Sequence, residues 1–156
     1  MKTLILYASK HGAAKEIAEG IAGHIPGSTL RDLKSNSIPD ISQFDCVVIG
    51  SSLYAGSILK EAKTFLSQNT EALRKKRLGL FLSGMDAKSE KSFFESNFSS
   101  DILQAARVKS FLGGVFDPKK SGAIGRFIMK IAAKQSGYIN TISDDKILQF
   151  AEAMKR

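Results

Sequence analysis

Leu4-Ile5-Leu6-Tyr7-Ala8-Ser9-Lys10-His11-Gly12-Ala13-Ala14-Lys15-Glu16-Ile17-Ala18 changes its hydrophobic period halfway along. Before Ser9 the apolar side chains are consecutive, which predicts a strand over 2–8 buried on both faces, as parallel sheets require. After Gly12 the spacing becomes helical. Ile17, Ile21 and Ile25 lie four apart with Ala14, Ala18 and Ala22 beside them, while Lys15, Glu16 and Glu19 fall elsewhere. This is an amphipathic helix over 13–25, stopped by Pro26-Gly27. The small polar residues Ser9, Lys10 and Gly12 form the turn between them.

The same alternation continues along the chain. Ser28–Leu33 reads as a short strand, 36–42 as a loop with Pro39, and Asp45–Ser51 as a second buried strand around Cys46-Val47-Val48-Ile49. A helix over 58–73 places Leu59, Ala62, Phe65 and Leu66 on one face. Strands follow over 78–83 and 108–116, separated by helical spacing over 93–106 with a break at Ser99-Ser100. Ser143 is suited to cap a final helix over 143–154, with Ile147, Leu148, Phe150 and Ala151 expected to face inward. Alternating strands and helices point to an α/β fold with a doubly wound parallel sheet. No repeat, low-complexity tract or linker divides it, so residues 1–156 are expected to form one domain. Asp117–Ile142 exceeds a short connection and is read as an insertion before the last helix. Within it Ile124–Gln135 is amphipathic, with Arg126, Lys130 and Lys134 as a basic stripe.

A chain of 156 residues, 43% hydrophobic and 24% charged, can bury a core without staples. The lone Cys46 excludes an internal disulfide framework. Mid-strand, it reads as a buried structural thiol. The apolar run at the start is too short for a signal peptide or a membrane span, and a cytoplasmic location is expected. The net charge of +8 leaves an acidic partner, an anionic surface and a phosphorylated ligand open. A nucleic-acid role is not expected. The cluster Arg74-Lys75-Lys76-Arg77 lacks aromatic interleaving and reads as a solvated run before a strand.

Three turns at strand ends carry the chemistry. Ser9-Lys10-His11-Gly12-Ala13-Ala14 offers a hydroxyl, a cation and backbone N–H groups at a helix N-terminus, which together make an anion site. It matches neither the Walker pattern nor the dinucleotide fingerprint. Ser51-Ser52-Leu53-Tyr54-Ala55-Gly56 brings an aromatic ring to the same end of the sheet, able to stack on a flat ligand or to cap the core. Ser83-Gly84-Met85-Asp86 joins a third strand end to a polar loop. A phosphate loop beside two ring-binding loops describes a site for flavin mononucleotide (FMN). No Ser-His-Asp set or metal-ligand spacing accompanies them, so no catalytic side chain and no metal are expected.

The segment Ile5–Ala18 resembles the flavodoxin signature. Further pieces resemble the flavodoxin-like, menaquinone-dependent protoporphyrinogen oxidases. These are Met1–Leu6, Phe44–Ser52, and Arg126-Phe127-Ile128-Met129-Lys130-Ile131 followed by Lys134-Gln135-Ser136-Gly137. The resemblance implies a flavodoxin-like five-stranded sheet of order 2-1-3-4-5 and a bound FMN that performs the redox chemistry. Where flavodoxins usually carry a threonine, this chain has Ala14, which implies either weaker phosphate anchoring or compensation by Lys10 or Ser9. Two functions are expected from it. One is an electron carrier that docks on a redox partner protein. The other is an FMN oxidoreductase that passes electrons from an organic substrate to a quinone at a membrane surface, with Arg126, Lys130 and Lys134 touching anionic lipid.

Overall fold

The computed structural model describes residues 1–119 and 137–156. Five parallel strands form the frame: β1 (Thr3–Ala8), β2 (Thr29–Asp32), β3 (Cys46–Tyr54), β5 (Arg77–Ser83) and β6 (Ala106–Phe111). Their order is β2-β1-β3-β5-β6, which is 2-1-3-4-5 when the parallel strands alone are numbered. A sixth, short strand, β4 (Ser57–Ile58), folds back antiparallel on the end of β3. The register pairs Leu6 with Ile49 and Ile49 with Leu80 across the centre.

Period-two alternation divides the core between the two faces of the sheet. On one face Leu4, Leu6, Val47, Ile49, Leu78, Leu80 and Leu82 pack under three helices: α2 (Lys60–Leu73), α3 (Glu90–Asn97) and α4 (Ser100–Ala105). On the other, Ile5, Tyr7, Cys46, Val48 and Phe81 pack under α1 (Ala13–His24) and α5 (Asp144–Lys155). Cys46 is buried, as expected of a structural thiol. Gly50 is required there, because a Cβ would occupy the Phe81 ring, and Gly79 gives way to Phe150 and Met154. Phe81 and Phe150 then meet edge to face at 6.3 Å.

Several local expectations are corrected. The strand expected over 108–116 ends at Phe111. The chain turns through Gly113 at φ 91° and resumes as β7 (Val115–Phe116), which pairs antiparallel with β8 (Ile139–Asn140). A side chain at Gly113 would run into the Thr141 backbone, so the close approach of the returning chain forces the turn. The helical stretch expected over 93–106 starts at Glu90 and breaks at Phe98. Ser99 then starts α4 by accepting a hydrogen bond from Ile102 N at 3.3 Å. Ile58 leaves the helix for β4, where it pairs with Leu53. In α5, Ser143 caps as expected, but Leu148 points outward and Met154 is buried in its place. Leu148 lies a third of a turn from the face that carries Ile147, Phe150, Ala151 and Met154.

The basic run at 74–77 is only partly solvated. Lys76 Nζ donates to Phe44 O at 2.6 Å, and Arg77 Nη1 to Met154 O at 3.1 Å, so both tie neighbouring elements together. Among the described residues no helix is long and apolar enough to cross a membrane. The expected helix over 124–135, with Arg126, Lys130 and Lys134, falls outside the described residues.

Candidate functional site

Strand order reverses between β1 and β3, so the loops after these strands diverge and open a crevice at their carboxyl ends. A cleft of about 240 Å³ lies there, lined by parts of all three expected loops. Lys10, His11 and Ala13 come from the first, Ser52, Leu53, Tyr54 and Gly56 from the second, and Ser83, Gly84, Met85 and Asp86 from the third. Ser9, Gly12, Ala14, Ser51 and Ala55 do not line it. They shape the loops instead.

In the first loop the Ser9 hydroxyl accepts from Gly12 N at 3.0 Å. Gly12 adopts φ 102°, a left-handed conformation suited to glycine, and begins α1 without a side-chain cap. The first intrahelical bond is Glu16 N to Gly12 O at 3.0 Å. The N–H groups of Ala13, Ala14 and Lys15 therefore have no acceptor within the helix and concentrate its positive pole at the turn. Ala14 itself is fully buried against the core. A second cation supports the loop from outside: Lys34 Nζ donates to Ser9 O at 2.9 Å. Beneath the loop, burial and the nearby carboxylates of Asp32 and Glu19 push the Tyr7 phenol above its ordinary value, so it stays neutral.

The second loop is tied to the first and to α3. Lys10 N donates to Ser52 Oγ at 3.4 Å. The buried Ser51 hydroxyl accepts from Leu59 N at 2.9 Å and donates to Ser52 O at 2.8 Å. Asn97 grips the hairpin from the side, donating from Nδ2 to Gly56 O at 2.9 Å and accepting Ile58 N on Oδ1 at 2.9 Å. Ala55 at φ 50° and Gly56 at φ 78° make the turn. Tyr54 is left 56% exposed, one of the exposed large apolar side chains among the described residues with Met1, Tyr138 and Leu148. Lys10 Nζ lies 3.4 Å from the centroid of its ring.

The third loop is fixed by Ser89 Oγ, which donates to Asp86 Oδ2 at 2.6 Å, and by Gly84 N, which donates to Gly113 O at 3.1 Å. Gly114 approaches so closely that a Cβ there would sit 2.6 Å from Gly84 O.

The sequence reading missed Phe93, Gly114 and Val115 in the cleft wall, and Lys34 and Asn97 behind it. The pair Gly113-Gly114 was the one available signal, since adjacent glycines in a strand pattern mark a bend or a close approach. A larger cavity of about 630 Å³ lies between Leu33, Ile38–Ile41 and α2, beside the short β2–β3 connection. It does not include residues of the three strand-end loops. Among the described residues no group of His, Cys, Asp and Glu could hold a metal ion.

A family model described as a flavodoxin domain matches residues 4–141. No curated protein sequence matches the chain. Among solved structures, a short-chain flavodoxin associated with a bacterial microcompartment is similar at 15% identity and TM-score 0.62, over 99% of this chain and 97% of that one. The two-electron reduced flavodoxin of Megasphaera elsdenii is similar at 13% identity and TM-score 0.61, over 97% of each chain. A Streptococcus pneumoniae flavodoxin is similar at 16% identity and TM-score 0.57, over 99% and 98%. At these identities the likeness concerns the fold. With the family model spanning most of its length, the chain belongs to the flavodoxin-domain family.

Proposed function

We propose that this protein binds FMN in the cleft at the ends of β1, β3 and β5 and acts in electron transfer with a redox partner protein. The observation that carries the reading is the meeting, in one cleft, of an exposed aromatic face and the positive pole of an uncapped helix. A phosphorylated planar ligand needs both. The N–H groups at the start of α1, with Lys10 beside them, would hold the phosphate, and Lys34 would brace the loop through Ser9 O. Space is open above Gly12, where a Cβ would meet nothing within 4 Å. Tyr54 would stack on the ring, and backbone groups around Gly56 and Gly84 would bond its edge. When bound, the flavin supplies the redox chemistry, and the protein supplies orientation and electrostatics.

Titration of the apoprotein with FMN, followed by quenching of flavin fluorescence, tests this. Saturable binding is expected at micromolar protein, and its absence would sink the reading.

A second reading rests on the sequence of Arg126–Ile131 and the charge of +8. In it the protein is a quinone-dependent protoporphyrinogen oxidase-type enzyme working at an anionic membrane surface. Anaerobic turnover of protoporphyrinogen with menaquinone by the FMN-loaded protein would support it. Binding of FMN without turnover leaves the carrier. Cosedimentation with anionic liposomes, compared for wild type and Arg126→Glu/Lys130→Glu/Lys134→Glu, tests the membrane part. Equal binding would remove that stripe from the argument.

A further inference from the structure

The cavity of about 630 Å³ beside α2 shares no lining residue with the cleft. Its cause is topological. The other connections between parallel strands each carry a helix: α1 after β1, α2 after β3, and α3 with α4 after β5. The connection from β2 to β3 carries only the short turn Ile41–Gln43. Coil crosses the sheet where a helix usually packs, and space remains between that coil and α2.

Two rows of α2 face this space, each spaced by four residues. The outer row, Lys60, Thr64 and Gln68, is exposed, and the inner row, Glu61, Phe65 and Asn69, is half-buried. Asn69 is spent within the helix, donating from Nδ2 to Phe65 O at 2.8 Å. The Glu61 carboxylate has no hydrogen bond or ion pair among the described residues. Opposite stand Leu33, Ile38 and Ile41, with Asp40 between the last two. Leu33 and Ile41 are buried in the core, which fixes this wall. The cavity thus has an apolar wall on each side and a carboxylate on each side. The lining cation, Lys60, stands in the outer row, where its long stem carries the ammonium into water.

We infer that this cavity is a second small-molecule site, for a ligand with a flat apolar body and an ammonium group. Its volume lies in the range of ligand sites. An aromatic body would lie between Phe65 and Ile38. A half-buried carboxylate beside an apolar wall loses hydration without gaining a partner, and a bound ammonium supplies that partner. A neutral ligand of the same shape gains only the apolar contact, and an anion is repelled by Glu61 and Asp40. The inference does not depend on the cleft being an FMN site.

The experiment titrates naphthylethylamine, naphthylethanol and naphthylacetate, which differ in their end group, into the full chain with and without FMN. Amide NMR shifts report where each probe binds. The amine is expected to bind with a dissociation constant of about a millimolar or below, moving Leu33, Ile38 and Phe65 alike in both samples. The alcohol should bind about two- to fivefold more weakly, the fold-change of a modest ion pair, and the carboxylate more weakly still. Glu61→Gln should remove the advantage of the amine over the alcohol and leave the alcohol unchanged. Phe65→Ala should weaken both, with thermal melts checking that it folds. No binding of the amine, equal binding of amine and alcohol, an advantage that survives Glu61→Gln, or shifts confined to the strand-end loops overturns the inference. Failure to bind FMN overturns only the reading of the cleft.

Discussion

Asn97 holds the Tyr54 turn without lining the cleft. Its amide donates to one side of the hairpin and accepts from the other, at 2.9 Å each. Asn97→Ala leaves a part-buried N–H and carbonyl without these partners, and destabilisation of about 1–3 kcal/mol is expected in urea unfolding. FMN titration of the same variant should show weaker binding, because the ring-bearing turn is no longer fixed. Asp40 works in the same local manner. The Ser42 backbone N–H donates to its carboxylate at 2.9 Å, and this bond holds the group below its ordinary value of 3.8. Its lowered folded value means that the contribution is present above pH 3.8 and is lost as pH falls through the lower value. Thermal melting curves should show wild type more stable than Asp40→Ala at neutral pH, with the difference shrinking as pH falls through that lower value.

Elements end where tertiary contacts interrupt a local pattern. The apolar run from Val108 to Phe116 has a strand's composition, yet β6 stops at Phe111 so that Gly113 and Gly114 can pass against Thr141 and Gly84. Gly84 N bonds Gly113 O, and Thr141 N bonds Gly114 O at 2.8 Å. The third loop, the Gly113-Gly114 turn and the chain entering α5 are thus joined backbone to backbone. A methyl group at residue 114 would press on Gly84 O at 2.6 Å. Gly114→Ala should therefore separate the third loop from the turn behind it. A stability loss of about 1–3 kcal/mol is expected from overpacking, with a larger relative loss of FMN affinity. An affinity unchanged at reduced stability would show that this wall does not shape the site.

At the scale of the molecule, two apolar layers clamp the sheet and leave function to its rim. The sequence carries a net charge of +8, which favours anionic ligands and surfaces. Lys10 and Lys34 bring part of it to the first loop, where the pole of α1 has the same sign. FMN carries an anionic phosphate, so its dissociation constant should rise by about tenfold between low and high ionic strength, as screening shortens from about 30 Å to about 3 Å. Riboflavin binding should change little. A salt response shared equally by both ligands would place the charge effect away from the phosphate.

Hydrophobic period is a local property, and it determined most of the frame. The switch from consecutive apolar residues to four-residue spacing at Ser9–Gly12 was enough to predict β1, the turn and α1. The same reasoning found the parallel strands and the Ser143 cap. The three strand-end loops were legible for the same reason, because a parallel sheet carries every such turn to one edge. What local pattern does not contain is distance in space. Leu148 has a core residue's chemistry but sits off the packed face. Lys34 and Asn97 look like ordinary loop and helix residues until β2 and α3 are brought beside the site. The contact between Lys10 and Tyr54 joins two loops separated in the chain by α1, β2 and β3. Only the parallel pairing of β1 with β3 makes those loops neighbours, and so only the tertiary structure decided which charge faces which ring.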